Sequence, residues 1–145
     1  MKEFLRKNKH FSHYYVAYNI FKKEPFFGIG MKNFRKESDK EKYNPIEGIN
    51  GFANHPHQTH FEFLSELGLV GYLLIILNIF YIIIKTFKKS FKKNLFVISA
   101  TIFIFVTFIP LIPSGSFFTT YTATIFWINY SFLITNSKKM IKNNT

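Results

Sequence analysis

No cysteine occurs in the 145 residues, which excludes disulfides and thiolate chemistry and leaves the redox compartment open. Acidic residues are few and one-sided: all eight lie at or before Glu66. No apolar stretch with a cleavage site follows the charged Met1–Lys9 segment, so a secretory signal peptide is not expected. Zinc spacings such as His-Glu-x-x-His are also missing. His55, His57 and His60, with Glu62 or Glu66, supply ligand types, but in a helix only His57 and His60 would share a face, so neither metal nor other cofactor is expected.

What is present is unevenly spread. Hydrophobic residues make up 48% of the chain, an ordinary fraction, yet almost everything after Leu67 is apolar except clusters of lysine. The net charge of +11 first suggests nucleic acid. Up to Glu66, however, eleven basic residues face eight acidic ones, and the remaining eight lysines flank apolar segments, where they act as topology signals and headgroup partners. Nothing concentrates basic and aromatic residues on one soluble face, so no nucleic-acid partner is expected.

The back half therefore reads as three transmembrane helices in an all-α integral membrane protein, at about 67–84, 95–112 and 117–134 within residues 67–136. Lys85, Lys88, Lys89, Lys92 and Lys93 crowd the first hairpin, whereas no Lys or Arg occurs from Tyr43 to Leu67. That asymmetry places the hairpin, and a tail at residues 137–145 carrying Lys138, Lys139 and Lys142, in the cytoplasm, with residues 1–66 extracytoplasmic or interfacial. Pro110 to Ser116 breaks the second span into an uncharged turn. Thr119, Thr120, Thr122, Thr124 and Asn129 give the third a polar stripe for packing.

In the front half, Tyr14, Ala17, Tyr18 and Phe21 recur at three and four, predicting an amphipathic helix on the membrane or against other spans, ended by Pro25. Phe26-Phe27-Gly28-Ile29-Gly30 reads as a turn whose glycines permit positive φ or close approach; taken alone it is an apolar anchor at the interface. Lys36 to Gly51 is a charged, solvated, mobile loop with room for a short helix.

The stretch Asn54 to Gly71 organises the rest. Asn54 or His55 caps a helix and Pro56 suits its first position, which puts His57 in the first turn near the positive end of the helix dipole. That field favours a neutral imidazole able to accept a proton, beside backbone N–H groups able to hold an anion. His57, Phe61, Leu64, Gly68 and Gly71 then fall near one face.

His57-Gln58, nine residues, then Gly68-Leu69-Val70-Gly71 resembles the His-(Asn/Ser/Gln)-x9-Gly-x-x-Gly signature of the O-antigen ligase and polymerase family. Upstream, Pro25-Phe26-Phe27-Gly28-Ile29-Gly30 followed by Phe34-Arg35 resembles the family segment that opens its large extracytoplasmic loop. The resemblance implies a C-terminal part of a larger polytopic fold in a bacterial inner membrane, truncated or split from the N-terminal spans. It implies glycan transfer from a polyprenyl-pyrophosphate-linked donor to lipid A core or a growing polysaccharide.

In that reading His57 is the general base, and Arg35, then Lys32, bind the donor pyrophosphate. His10 stands where family members often carry an arginine, with Arg6, Lys7 and Lys9 nearby, so bidentate phosphate contact is lost there. Gln58, His60, Glu62 and Glu66 are expected to meet the acceptor or orient His57. Gly68 and Gly71 are expected to pack against neighbouring helices. The alternative is a non-catalytic membrane fragment or accessory subunit that keeps the motif for helix packing. A transporter or channel fits less well, because the spans carry no charge.

Overall fold

Why the chain turns where it does is decided by a few glycines and two buried glutamates. The computed structural model describes residues 2–44, 46, 52–90, 95–110 and 112–142. Pro45 and Gly48–Gly51 of the charged loop, Lys92 and Lys93 of the lysine hairpin, and Leu111 of the uncharged turn lie outside the described residues. The elements are α1 (Lys2–Lys7), α2 (Lys9–Lys23), α3 (Phe34–Glu37), α4 (Thr59–Ser90), α5 (Leu95–Thr107) and α6 (Thr120–Lys142), with no strand among the described residues. They form two units: Met1–Leu73 with Pro110–Phe118, and Leu74–Ile109 with Thr119–Thr145.

In the first unit the chain leaves α1 at Asn8, which is extended, and re-enters helix as α2. This helix stops before Pro25, as expected, with the Glu24 N–H still bonded to the Ile20 carbonyl. Its inward face is rotated from the predicted stripe: Tyr14 and Ala17 are buried, but Val16 and Ile20 join them while Tyr18 is exposed. The cause is tertiary. Phe34 of α3, Tyr43 and Ala53 form an apolar wall against Val16, Ala17 and Ile20, and burying each larger side chain contributes about 1.5–3 kcal/mol. The charged loop is exposed as predicted at Lys36, Asp39, Lys40, Glu41 and Lys42, and α3 is its short helix.

The helix α4 is broken at Gly68, where φ is 67° and ψ −173°. Unbroken, it would bond the Leu69 N–H to the Ser65 carbonyl and the Val70 N–H to that of Glu66. All four groups instead pair with the upstream turn. Ile29 N–H donates to Ser65 O (3.0 Å), Gly30 N–H to Glu66 O (2.8 Å), Leu69 N–H to Pro25 O (2.7 Å) and Val70 N–H to Phe26 O (3.2 Å). Backbone approaches this close require glycine on both sides. A Cβ on Gly68 would lie 2.3 Å from Phe26 O, and one on Gly28, also at positive φ, 2.5 Å from the Glu66 carbonyl carbon. The two motifs are thus one interlocked structure, and Gly68 serves the chain's own turn rather than a neighbouring helix. A Cβ on Gly71 would meet only Leu67 of the same helix.

In the second unit α5 packs on α6, burying Val97, Ala100 and Ile104 from one and Phe126, Tyr130 and Leu133 from the other. The Tyr130 hydroxyl donates to the Asn78 side-chain oxygen of α4, which accounts for the polar interruption in that apolar run. Among the described residues one helix, Thr59–Thr86 within α4, is long and apolar enough to cross a membrane. The apolar α5 is shorter, because Pro110 halts it and its last turn tightens, with Phe108 and Ile109 N–H bonded three residues back. The helix α6 starts at Thr120 rather than at 117, and Thr119 caps it, its hydroxyl accepting the Thr122 N–H (3.3 Å) and its carbonyl the Ala123 N–H (2.9 Å).

Candidate functional site

The segment before α4 departs from the predicted helix start. Helix begins at Thr59, and Gln58 caps it: its side-chain oxygen accepts the Phe61 N–H (2.9 Å) and its carbonyl the Glu62 N–H (3.0 Å). Pro56 and His57 therefore precede the helix. His57 sits in the left-handed region at φ 61°, a conformation uncommon outside glycine, Asn, Asp and His. Its carbonyl accepts the Ser114 N–H (2.8 Å).

This bend turns the His57 ring into a group of four imidazoles. Ring centroids lie 4.1 Å from His55, 5.2 Å from His13 in a stacked arrangement, and 5.2 Å from His10 edge-on. His10 and His13 come from one face of α2, being three residues apart. Tyr14 stacks on Phe61 at 5.0 Å and fixes that face against α4. Burial is the main cause lowering the His57 pKa from 6.5, with His55 and His10 adding charge repulsion. Burial likewise lowers His55, opposed by a backbone hydrogen bond to Ser114, and brings His13 down to about 4, with further contributions from His57, His10, His55 and Lys9. A neutral His57 is what the sequence predicted, but crowding and desolvation produce it rather than a helix dipole. Among the described residues no three of these groups are arranged to hold a metal ion.

Beside the imidazoles a cleft of about 270 Å³ is lined by Lys7, Asn8, Lys9, His10, Phe11, Tyr14 and Pro113. The cleft meets the imidazole group through His10, whose ring lies edge-on to His57. Arg35 and Lys32 are exposed and stand elsewhere in the unit, at the Glu66 junction. There the Glu66 carboxylate accepts the N–H groups of Lys32 (2.6 Å) and Phe34 (3.0 Å), closing the loop onto α4. Each Glu66 oxygen thus accepts one backbone N–H of the loop. His60 pairs with the Tyr72 hydroxyl at 3.0 Å and lies in α4, past the cap.

Glu62 is only 1% exposed. The Ser116 hydroxyl donates to one of its oxygens and the Phe117 N–H to the other (2.7 Å), while Thr59 and Ser114 hydroxyls meet at 3.2 Å. Phe63 anchors the same turn between Phe117 and Phe118. The 114–117 turn is thus bonded at one end to the His57 carbonyl and at the other to Glu62. Burial pushes the Glu62 carboxyl up to about 7, and Glu62→Ala removes both its hydrogen bonds and strands the Phe117 N–H, an unsatisfied group costing about 1–3 kcal/mol. It should lower the melting temperature by several degrees and loosen the His57 bend; Glu62→Gln, which can still accept from Phe117, should lose less. Thermal denaturation of the two variants checks this. Two residue groups escaped sequence reasoning. His13 was signalled by its i, i+3 spacing from His10, whereas nothing local marked Ser114, Ser116 and Phe117 as partners of α4.

No curated protein and no solved structure was found to match the chain. A protein-family model described as O-antigen ligase matches residues 8–76, a stretch that holds the imidazole group, the glycine interlock and both glutamates. Over that segment the chain is similar to the O-antigen ligase family.

Proposed function

We propose that this chain forms the extracytoplasmic acceptor-activating part of a membrane glycosyltransferase, which moves glycan from a polyprenyl-pyrophosphate donor to lipid A core or a growing polysaccharide. The observation that carries this reading is the neutral, bent-in His57 beside a cleft bearing Lys7, Lys9 and His10. An acceptor hydroxyl attacks the anomeric carbon and gives its proton to His57. The bond from that carbon to the pyrophosphate oxygen breaks, and the polyprenyl pyrophosphate leaves as an anion, its charge met by cations. The lysine-lined cleft supports His10 as a donor-side residue, and Arg35 with Lys32 offer further cations at the Glu66 junction.

The family match and the apolar α4 support membrane residence. The lysine asymmetry supports three spans in an inner membrane, with the Lys85–Lys93 hairpin inside and His57 outside. A non-catalytic accessory role would leave transfer indifferent to the His57 ring.

The pH dependence of transfer tests the proposal. His57 must be neutral to act as base, and its pKa is lowered below 6.5. Activity should therefore persist below pH 6.5 and fail on an acid limb set by His57. In His55→Gln one source of repulsion disappears, the His57 pKa rises, and the limb should move up toward pH 6.5. A limb that stays in place would remove His57 from the titration.

A further inference from the structure

A second basic cleft lies away from the imidazoles. About 600 Å³ in volume, it is lined by Asn19, Lys22, Lys23, Glu41 and Lys42. Lys42 is also 3.7 Å from Glu37, and Glu24 accepts the Tyr43 hydroxyl, while Lys22 and Lys23 make no ion pair among the described residues. The ammoniums of Lys42 and Lys23 converge on the buried Tyr43 ring, 4.3 and 6.0 Å from its centroid. The Asn19 amide donates to the Tyr43 carbonyl (3.0 Å), fixing the floor. Three residues beyond Lys23 the chain enters the Phe26–Phe27 turn, whose rings are 65% and 77% exposed, with Met31 exposed after it.

The depth of that turn is set by the glycine interlock. Pro25 and Phe26 carbonyls accept the N–H groups of Leu69 and Val70, the first residues past the break in the helix that is apolar enough to span a bilayer. Leu69 and Val70 are themselves exposed. Two bare phenylalanines in a turn bonded just past the break of that helix belong among acyl chains, and Lys22 and Lys23, a few residues before them, fall at headgroup level.

We propose that the Lys22–Lys23–Lys42 cleft binds the phosphate headgroup of an anionic phospholipid while Phe26 and Phe27 insert into the same leaflet. The pair forms a lipid clamp that holds the front unit on the membrane surface. Lysines supply point charges for the phosphodiester, and Asn19 supplies a neutral polar contact at the edge of the cleft. The clamp is independent of the glycan chemistry.

The test uses the full chain in nanodiscs of phosphatidylcholine with about 20% phosphatidylglycerol, carrying Phe27→Trp on a Trp127→Phe background. Lipids brominated at shallow acyl positions should quench the new tryptophan by about half or more, whereas aqueous acrylamide should quench it weakly. In native mass spectrometry after detergent release, phosphatidylglycerol should be retained over phosphatidylcholine. The triple variant K22Q/K23Q/K42Q should cut that preference by about tenfold or more, and K22R/K23R/K42R, which keeps the charge, should preserve it. A tryptophan quenched by acrylamide and untouched by bromine would overturn the insertion. An unchanged lipid preference in the glutamine variant, or its loss in the arginine variant as well, would overturn the headgroup site. Neither readout depends on glycan transfer.

Discussion

Gly68→Ala is expected to abolish the native front unit rather than merely weaken it. The alanine would need φ 67° with ψ −173°, a region essentially confined to glycine, at a cost of about 1–3 kcal/mol, and its methyl would sit 2.3 Å from the Phe26 carbonyl oxygen. Relief requires the Phe26–Phe27 strand of the turn to retreat. That movement would break the bonds from Leu69 and Val70 to Pro25 and Phe26, and those from Ile29 and Gly30 to Ser65 and Glu66. Helix could then re-form through residue 68, with the turn cut loose and Glu66 losing Lys32 and Phe34. Gly28→Ala attacks the same junction from the other side and should give the same phenotype. By contrast Gly71→Ala would put a Cβ 2.7 Å from the Leu67 Cβ but meets no backbone of the turn, and should be milder. Limited proteolysis of the reconstituted chain checks the ordering: the 25–35 segment should become rapidly cleaved in the first two variants and stay protected in the third.

Much of this organisation was legible in local pattern. Pro25 stops α2, the glycines of the Phe-Phe-Gly-Ile-Gly turn adopt positive φ at Gly28 and Gly30, and the apolar run after Leu67 is helix. What escaped was decided by partners distant in sequence. Pro56 reads as a helix-start residue, yet Gln58 takes the cap and leaves His57 in the left-handed region. Nothing near Glu62 announces that Ser116 and Phe117, more than fifty residues later, will supply its hydrogen bonds. The α2 stripe was rotated because Phe34 and Tyr43, from a segment that reads as a polar loop, provide the wall it packs on. Gly68 was recognised as a small residue that invites a close neighbour. Its neighbour proved to be the chain's own turn, since a broken helix offers two N–H and two carbonyl groups that only another backbone can satisfy.

The second large effect concerns the imidazole itself. His57→Asn keeps a residue type that tolerates positive φ, so the bend, the Ser114 hydrogen bond and the Gln58 cap should survive. What disappears is a base held neutral by burial and by its His55 and His10 neighbours. Removing a positioned general base costs on the order of 10²–10⁴ in rate. His13→Gln leaves that base in place and should cost far less, although it removes the ring stacked on His57.

The most direct measurement is therefore transfer from a polyprenyl-pyrophosphate-linked glycan in membranes containing the protein, comparing wild type with His57→Asn at equal insertion and equal protease resistance. A loss of about 100-fold or more with donor binding retained is the predicted result. Transfer at the wild-type rate by a correctly inserted His57→Asn protein would contradict the account.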